Sequence, residues 1–363
     1  MPTHHIIGLM SGSSLDGLDI AHCQFTFDGR PQKGQIRWQI LDAETIAYPP
    51  EWQARLRKTT TMSPVELLET DADLGRWMGN QVRTFVAQRK LKIDLVASHG
   101  HTVFHFPEKG FSLQIGQGNH LAEKCGLPVI FDFRTADIAA GGQGAPLAPV
   151  VDEWLLTDYD FFLNLGGIAN IACHTRDGFV GYDIIGTNQI LDALAGKLNL
   201  AYDSGGQLAR KGSLNPTLYN QLQKLDFLQQ EPPKSLDNQW VRDNMTDPTL
   251  AFDDTIPNKM ATIVELAAFE IAKEINRLIP YAKHPNHQLL ITGGGAHNTY
   301  LIERIKHFAP SNLEIIIPTP QLINYKESLL IALLALLRQY GSPNSSPLVT
   351  GAGRNTVGGV LTM

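Results

Sequence analysis

The sequence predicts an α/β protein of two similar domains, each a mixed sheet that opens with a three-stranded antiparallel meander and is flanked by helices. Three observations carry this expectation. The same order of extended segments, turn residues, helical stripe and glycine turn occurs twice along the chain. Each meander is followed by apolar residues at helical spacing. Finally, 363 residues exceed what one core usually supports, and an apolar fraction of 43% is enough to fill two.

In the first copy, an apolar strand over 6–9 leads through Gly-Ser-Ser and Asp-Gly turn residues into a strand over 18–27. Asp28-Gly29 then marks a hairpin turn, because both turn positions favour positive φ, and a third strand follows over 36–41. Ser63-Pro64-Val65-Glu66 has capping-box spacing with proline at the first helical position. Leu67, Leu74, Met78, Val82 and Phe85 share one face, so a helix is expected over about 64–90. It leads to an apolar strand over 93–97 and a turn at 98–101.

The second copy has strands over 161–165, 168–174 and 179–184, with turns at Gly166-Gly167 and Asp177-Gly178. Ile263, Ala267, Ile271, Ile275 and Leu278 form its helical stripe, followed by a strand over 288–292 and the turn Gly293-Gly294-Gly295. Gly141-Gly142-Gln143-Gly144-Ala145-Pro146 interrupts the pattern just before this copy, as an ordinary interdomain loop or as part of the chemistry. The expected division is 1–145 and 146–363, with ligands in the cleft between the halves, where glycine turns at strand ends bring backbone close.

Composition narrows the function classes. A net charge of −6 with mixed signs gives no basic face for nucleic acid. Cys23, Cys125 and Cys173 are odd in number and lack Cys-x-x-Cys spacing, which argues against a disulfide framework or a thiolate zinc site. The N-terminus lacks a basic region before a long apolar run, and no run approaches the ~20 residues that span a bilayer. The expectation is a soluble cytoplasmic protein with no membrane partner.

Ser11, Gly12, Ser13, Ser14, Leu15, Asp16, Gly17, Leu18 and Asp19 form either a plain hairpin turn or a phosphate cradle. Two glycines let N–H groups converge on an anion and three serines add hydroxyl donors. Asp16 and Asp19 would repel phosphate, so they stabilise the turn or hold Mg²⁺ through water, with no direct side-chain metal ligation expected. Gly166 and Gly167 occupy the equivalent point of the second copy. Gly293, Gly294 and Gly295 precede a helix whose N-terminus favours negative charge, and either admit a nucleotide or pack helix on strand. His99, His101 and His105 lack a further recognisable zinc ligand, which favours hydrogen-bonding roles. Arg134 and Asp137, after the apolar strand 127–133, bind polar substrate groups or form an ion pair. Asp183 closes a strand and is followed by Ile184-Ile185-Gly186-Thr187-Asn188. A carboxylate there is placed to take a proton from an attacking nucleophile, worth ~10² to 10⁴ in rate; a turn or N-cap aspartate is the alternative.

At GLMSGSSLDGLD, SHGHTVFH, LQIGQG, FDFRTADIAAGGQGAPLAP, NLGGIANI, PPKS at 232–235, ITGGGAHN and VTGAGRN, the chain resembles the anhydro-N-acetylmuramic acid kinase family, within the sugar kinase, Hsp70 and actin superfamily. The resemblance runs through essentially the whole chain and implies an actin-like ATPase fold. It implies a kinase that uses ATP and Mg²⁺ to open the 1,6-anhydro bridge of its sugar and phosphorylate O6, giving N-acetylmuramic acid 6-phosphate in cell-wall recycling. It further implies a homodimer. Asp183 matches the catalytic aspartate, which activates water for attack at C1. Gly12, Ser13, Ser14, Leu15, Asp16, Gly17, Leu18 and Asp19 match the ATP-phosphate loop, with Gly166 and Gly167 opposite. Gly293, Gly294, Gly295 and Asn298 match the nucleotide side of the second domain. Glu327 matches a family glutamate near the sugar, beside which the substrate-binding candidates His99, His101, Arg134 and Asp137 are placed.

The chain departs from the family pattern at three places. Ser14 stands for threonine, Gln117 for aspartate, and Ile184-Ile185-Gly186-Thr187-Asn188 for Thr-Gly-Pro-Gly-Asn. The last change puts the exact sugar in question. A kinase of the same fold for another sugar, and an ATP-binding switch without transfer, are the rival readings.

Overall fold

The computed structural model describes residues 1–12, 15–175, 178–232, 234–282 and 287–363. Ser13 and Ser14 of the first loop and Asp177 of the expected second hairpin lie outside the described residues. The chain forms two compact units, one of Met1–Thr157 with Tyr325–Met363 and one of Asp158–Asn324. The second unit therefore does not run from 146 to 363. The chain returns to the first unit at Tyr325, where the Pro320–Gln339 helix leaves helical geometry (φ −120°, ψ 17°).

In the first unit, β1 (Thr3–Ser11), β2 (Gly17–Thr26) and β3 (Arg37–Ala47) form the expected antiparallel meander. Ten residues join β2 to β3, so Asp28-Gly29 is part of a longer loop and not a tight hairpin. β4 (Leu95–Phe106) runs parallel to β1, β5 (Phe111–Ile115) folds back on β4, and β6 (Val129–Phe131) lies parallel on its other side. The 98–101 segment, expected as a turn, lies inside β4. Register jumps there from Leu9↔Ser98 to Ser11↔His101, so two β4 residues oppose one on β1. Gly100 absorbs this bulge at φ +75°, where a side chain would also meet the Ile115 carbonyl oxygen at 2.6 Å. A short last strand, Val360–Thr362, pairs antiparallel with β6 and closes the seven-stranded sheet.

Ser63 and Glu66 form the capping box of the Pro64–Arg89 helix, with the Ser63 N–H donating to Glu66 Oε2 at 2.8 Å. Its buried face, Leu74, Met78, Val82 and Phe85, packs into the core with Ile7, Leu9, Leu18 and Val96. Each such side chain contributes roughly 1.5–3 kcal/mol on burial.

The second unit repeats the plan. For this unit's strands we use β7 (Phe161–Leu165), β8 (Ile168–Thr175) and β9 (Gly178–Gly186) for its meander, and β10 (His287–Thr292) and β11 (Leu313–Ile316) for its parallel strands. The order is β11-β10-β7-β8-β9, against β6-β4-β1-β2-β3 in the first unit. This is the internal repeat that an actin-like ATPase fold implies. The Ile256–Leu278 helix buries the predicted stripe, Ile263, Ala267, Ile271, Ile275 and Leu278. No helix among the described residues is long and apolar enough to cross a membrane.

Candidate active site

In the first unit the candidate residues gather where β1, β2 and β4 meet the loop after Ser11. Leu15 sits at φ +60° with its side chain in the core, a left-handed conformation that costs a branched aliphatic residue energy. Leu18 is fully buried in β2, so only its backbone is available to a ligand. The Tyr48 hydroxyl donates to Ser11 Oγ at 2.9 Å, and Ser11 Oγ lies 3.0 Å from His101 Nδ1. Ser11 Oγ therefore accepts from Tyr48 while it also bonds His101 Nδ1, joining the three side chains. Burial pushes the Tyr48 phenol up to about 12 and lowers the His101 imidazole, which keeps both neutral in this relay. His101 therefore braces the start of the loop.

Arg134 donates to His99 Nε2 through Nε (3.1 Å), its Nη2 lies 2.9 Å from the same nitrogen, and its Nη1 donates to the Gly144 carbonyl at 2.6 Å. An arginine cannot accept, so His99 Nε2 is unprotonated and Nδ1 carries the proton toward the Gly100 carbonyl, 3.0 Å away. Burial first, and the Arg134 charge second, pull His99 down to about 3. Asp137 is almost wholly buried. Its Oδ2 accepts from the Gly144 N–H at 2.8 Å and its Oδ1 from the Thr350 hydroxyl at 2.8 Å. It ties the 141–146 loop to the C-terminal segment, with both carboxylate oxygens already hydrogen-bonded within the fold. His105 bonds Ser112 Oγ at 2.9 Å, and no cluster fit for direct metal ligation occurs among the described residues.

Three carboxylates of this unit are linked by charge in sequence, Asp16 acting on Asp19 and Asp19 on Glu327. Asp19 is raised above the usual carboxylate range by burial, then by Asp16, with the Thr45 hydroxyl bond at 2.5 Å opposing. Glu327 keeps solvent access, yet protein surrounds it closely enough that burial raises it first and the Asp19 charge second. Lys326 and Arg134 pull the other way. Lys326 is itself held to Asp152 at 2.6 Å.

In the second unit, Asp183 lies beside a bulge. Ala169 pairs with Ile185 and Asn170 with Asp183, leaving Ile184 as the extra residue of β9. The Ser235 hydroxyl (3.0 Å) and the Leu236 N–H (2.8 Å) both donate to Asp183 Oδ2. Among the described residues no hydrogen bond reaches Oδ1, so one oxygen is pinned and the other is open to a proton. Ile184 and Ile185 are both buried in the core.

The carbonyls of Gly166 and Gly167 accept from the Asn188 N–H (3.3 Å) and the Thr187 N–H (2.8 Å), which fixes their turn against the Asn188–Gly196 helix. Neither glycine has positive φ, and a Cβ at either would meet only atoms 3.5 Å or more away. Internal packing gives no reason for glycine there. Gly293 and Gly295 differ: a Cβ would lie 2.5 Å from Asn164 Oδ1 at Gly293 and 2.6 Å from Leu165 Cβ at Gly295. For these two, close packing on β7 is sufficient cause, whereas Gly294 is open. Asn298 Oδ1 accepts the Leu301 N–H at 3.0 Å and caps the Thr299–Phe308 helix, so that oxygen is committed to the fold.

Sequence reasoning does not reach Tyr48, Thr45, Ser235 or Leu236. The 232–235 block is a signal beside the last two, and their role follows from the bonds to Asp183 Oδ2.

Comparison with known proteins gives the family. The model of the anhydro-N-acetylmuramic acid kinase family matches residues 4–363. The chain is 32% identical over 372 residues to the anhydro-N-acetylmuramic acid kinase of Synechococcus elongatus, covering 96% of each chain. It is 33% identical over 376 residues to that of Vibrio cholerae, covering 98% of this chain and 97% of the other. Against that of Coxiella burnetii it is 34% identical over 381 residues, covering 99% and 98%.

Proposed function

The chain belongs to the anhydro-N-acetylmuramic acid kinase family and is a sugar kinase, and from that premise we propose that it hydrolytically opens its anhydro sugar while phosphorylating it. Water attacks C1, the C1–O6 bond breaks, and O6 takes the γ-phosphoryl group of ATP. Asp183 receives the proton of the attacking water, and ADP leaves. The products are N-acetylmuramic acid 6-phosphate and ADP, a reaction placed in the recycling of cell-wall fragments in the cytoplasm.

The observation that carries this reading is the half-satisfied carboxylate of Asp183. Oδ2 is fixed by Ser235 and Leu236, so Oδ1 is oriented before substrate arrives. Gly12, Ser13, Ser14, Leu15, Asp16, Gly17, Leu18 and Asp19 are assigned to the ATP phosphates, and Gly166, Gly167 and Gly294 to close nucleotide approach. Gly293, Gly295 and Asn298 support that surface from beneath. Arg134, His99 and Glu327 are assigned to the sugar; His101 and Asp137 hold the loops around it.

The charge of Asp16 beside Asp19, and of Asp19 beside Glu327, fits a divalent cation held through water, and Mg²⁺ there would neutralise phosphate charge. Because Ile184 and Ile185 are core residues, their departure from the family loop falls on packing more than on substrate contact. That observation favours the family's own sugar over another. We further assign the protein to a homodimer, on family grounds.

The test is turnover with ATP and Mg²⁺ against a panel of sugars, followed by ADP release. Turnover confined to the anhydro sugar is expected. Turnover only on a sugar with no anhydro bridge would reject the substrate, and ATP binding without turnover on any sugar would favour a switch.

A further inference from the structure

Asp183 is held by the consecutive residues 234–236, a segment with no regular secondary structure of its own. Its N–H donates to the Lys234 carbonyl at 3.1 Å, while Ser235 and Leu236 grip Oδ2. An irregular segment holds a carboxylate in one orientation only if something else holds the segment. Here the Lys234 side chain turns inward and is only 2% exposed. Its Nζ lies 3.5 Å from Glu274 Oε1 and 5.0 Å from the centre of the Phe227 ring. Lysine is almost never this buried without a partner.

Glu274, 1% exposed, projects from the Ile256–Leu278 helix. Its Oε2 accepts from the Tyr182 hydroxyl at 3.0 Å and lies 3.5 Å from Arg277 Nε. Burial and the Glu274 charge raise the Tyr182 phenol, so Tyr182 remains a donor. Tyr182 is the neighbour of Asp183 in β9. A single buried carboxylate thus ties the strand residue before the base and the loop residue whose successors grip it.

We propose that Lys234, Glu274 and Tyr182 form a buried anchor that positions Asp183, fixing the 234–236 segment against β9 so that its two donors meet Oδ2 and leave Oδ1 free. This rests on the reading of Asp183 as the base. The three are positioning residues, since none touches the reacting atoms. Desolvation offsets most of the attraction in such a buried pair, so stability alone is a weak reason for it.

The test uses two variants of the full chain. Lys234→Met/Glu274→Gln removes both charges together, so neither is stranded; Tyr182→Phe removes one hydroxyl and decides the matter if the double variant does not fold. Asp183 is titrated by carbon-13 NMR on aspartate-labelled protein, its signal identified by its loss in Asp183→Asn, alongside kcat and KM across pH. Weakened donors favour the protonated acid, so the Asp183 midpoint and the acid limb of kcat should both move to higher pH, by about one unit in the double variant. With it kcat falls roughly 10- to 100-fold while KM for ATP stays put. Tyr182→Phe moves both in the same direction by less.

A lowered melting temperature with an unmoved Asp183 midpoint, in whichever variants fold, would overturn the proposal. A wild type that transfers no phosphate, while the midpoint still moves in the variants, would instead remove the base role and leave the anchor standing.

Discussion

The two units repeat one strand order yet treat charge in opposite ways. In the first, burial and the Asp16 charge raise Asp19, burial and the Asp19 charge raise Glu327, and the chain enters β2 through a strained Leu15. In the second, one carboxylate, Asp183, is gripped on a single oxygen by donors that a buried ion pair holds still. On the proposed reading, the first arrangement is completed by a nucleotide with its cation. The second is complete except for a proton, which suits a base. On that reading, one duplicated architecture serves two roles.

The largest effect expected is at Asp183. Asp183→Asn keeps the shape and most of the hydrogen-bonding capacity but cannot take a proton, so kcat should fall by ~10² to 10⁴ with ATP affinity retained, measured by steady-state kinetics and calorimetric titration. Near-normal turnover would remove the division of labour at its sharper end.

Next are the two kinds of glycine in the second unit. Gly293→Ala meets a positive φ of +82° and backbone or side-chain atoms within 3 Å, so it should cost about 1–3 kcal/mol of stability by denaturant unfolding. Gly167→Ala has open space, so stability should change by less than about 0.5 kcal/mol. If nucleotide approaches that backbone, KM for ATP should nonetheless rise roughly tenfold, about 1.4 kcal/mol. An unchanged KM would return Gly166-Gly167 to a plain turn.

The smallest effect concerns Glu327 and Asp19. Both are raised in the folded protein, so each binds its proton more tightly there than in the unfolded chain. Their contribution to stability is full below the ordinary carboxylate pKa and is lost as pH rises through the higher folded values. Glu327→Gln should therefore melt above wild type at neutral pH, with the gap closing toward acid. Solvent access at Glu327 keeps the gain below about 1 kcal/mol. A variant that melts lower at neutral pH would show that Glu327 is paired and not repelled.

What sequence makes legible here is local. The meanders, the capped Pro64–Arg89 helix and the glycine turns all follow from patterns a few residues long. Asp183 reads from sequence as closing a strand, whereas β9 runs on to Gly186 and the bulge that aims the carboxylate depends on pairing with β8. His99 likewise lies at a bulge, in a segment that sequence reads as a turn because Gly100 resembles punctuation until β1 is set beside it. The return of the C-terminal segment was hidden for a different reason. Val360–Thr362 is three residues long and mostly exposed, so backbone pairing with β6 places it and no apolar pattern announces it. Asp137 and Thr350 are 213 positions apart, and Lys234 and Glu274 are 40. Such partnerships exist only once the sheets have formed.

The central claim, that one oxygen of Asp183 is kept free to activate water against an anhydro bridge, is tested most directly by the mass of the product. Wild-type protein with ATP, Mg²⁺ and anhydro-N-acetylmuramic acid should give a sugar heavier by one phosphoryl group and one water together, and Asp183→Asn should give neither. A product that gains the phosphoryl group alone, with the bridge intact, would contradict the account.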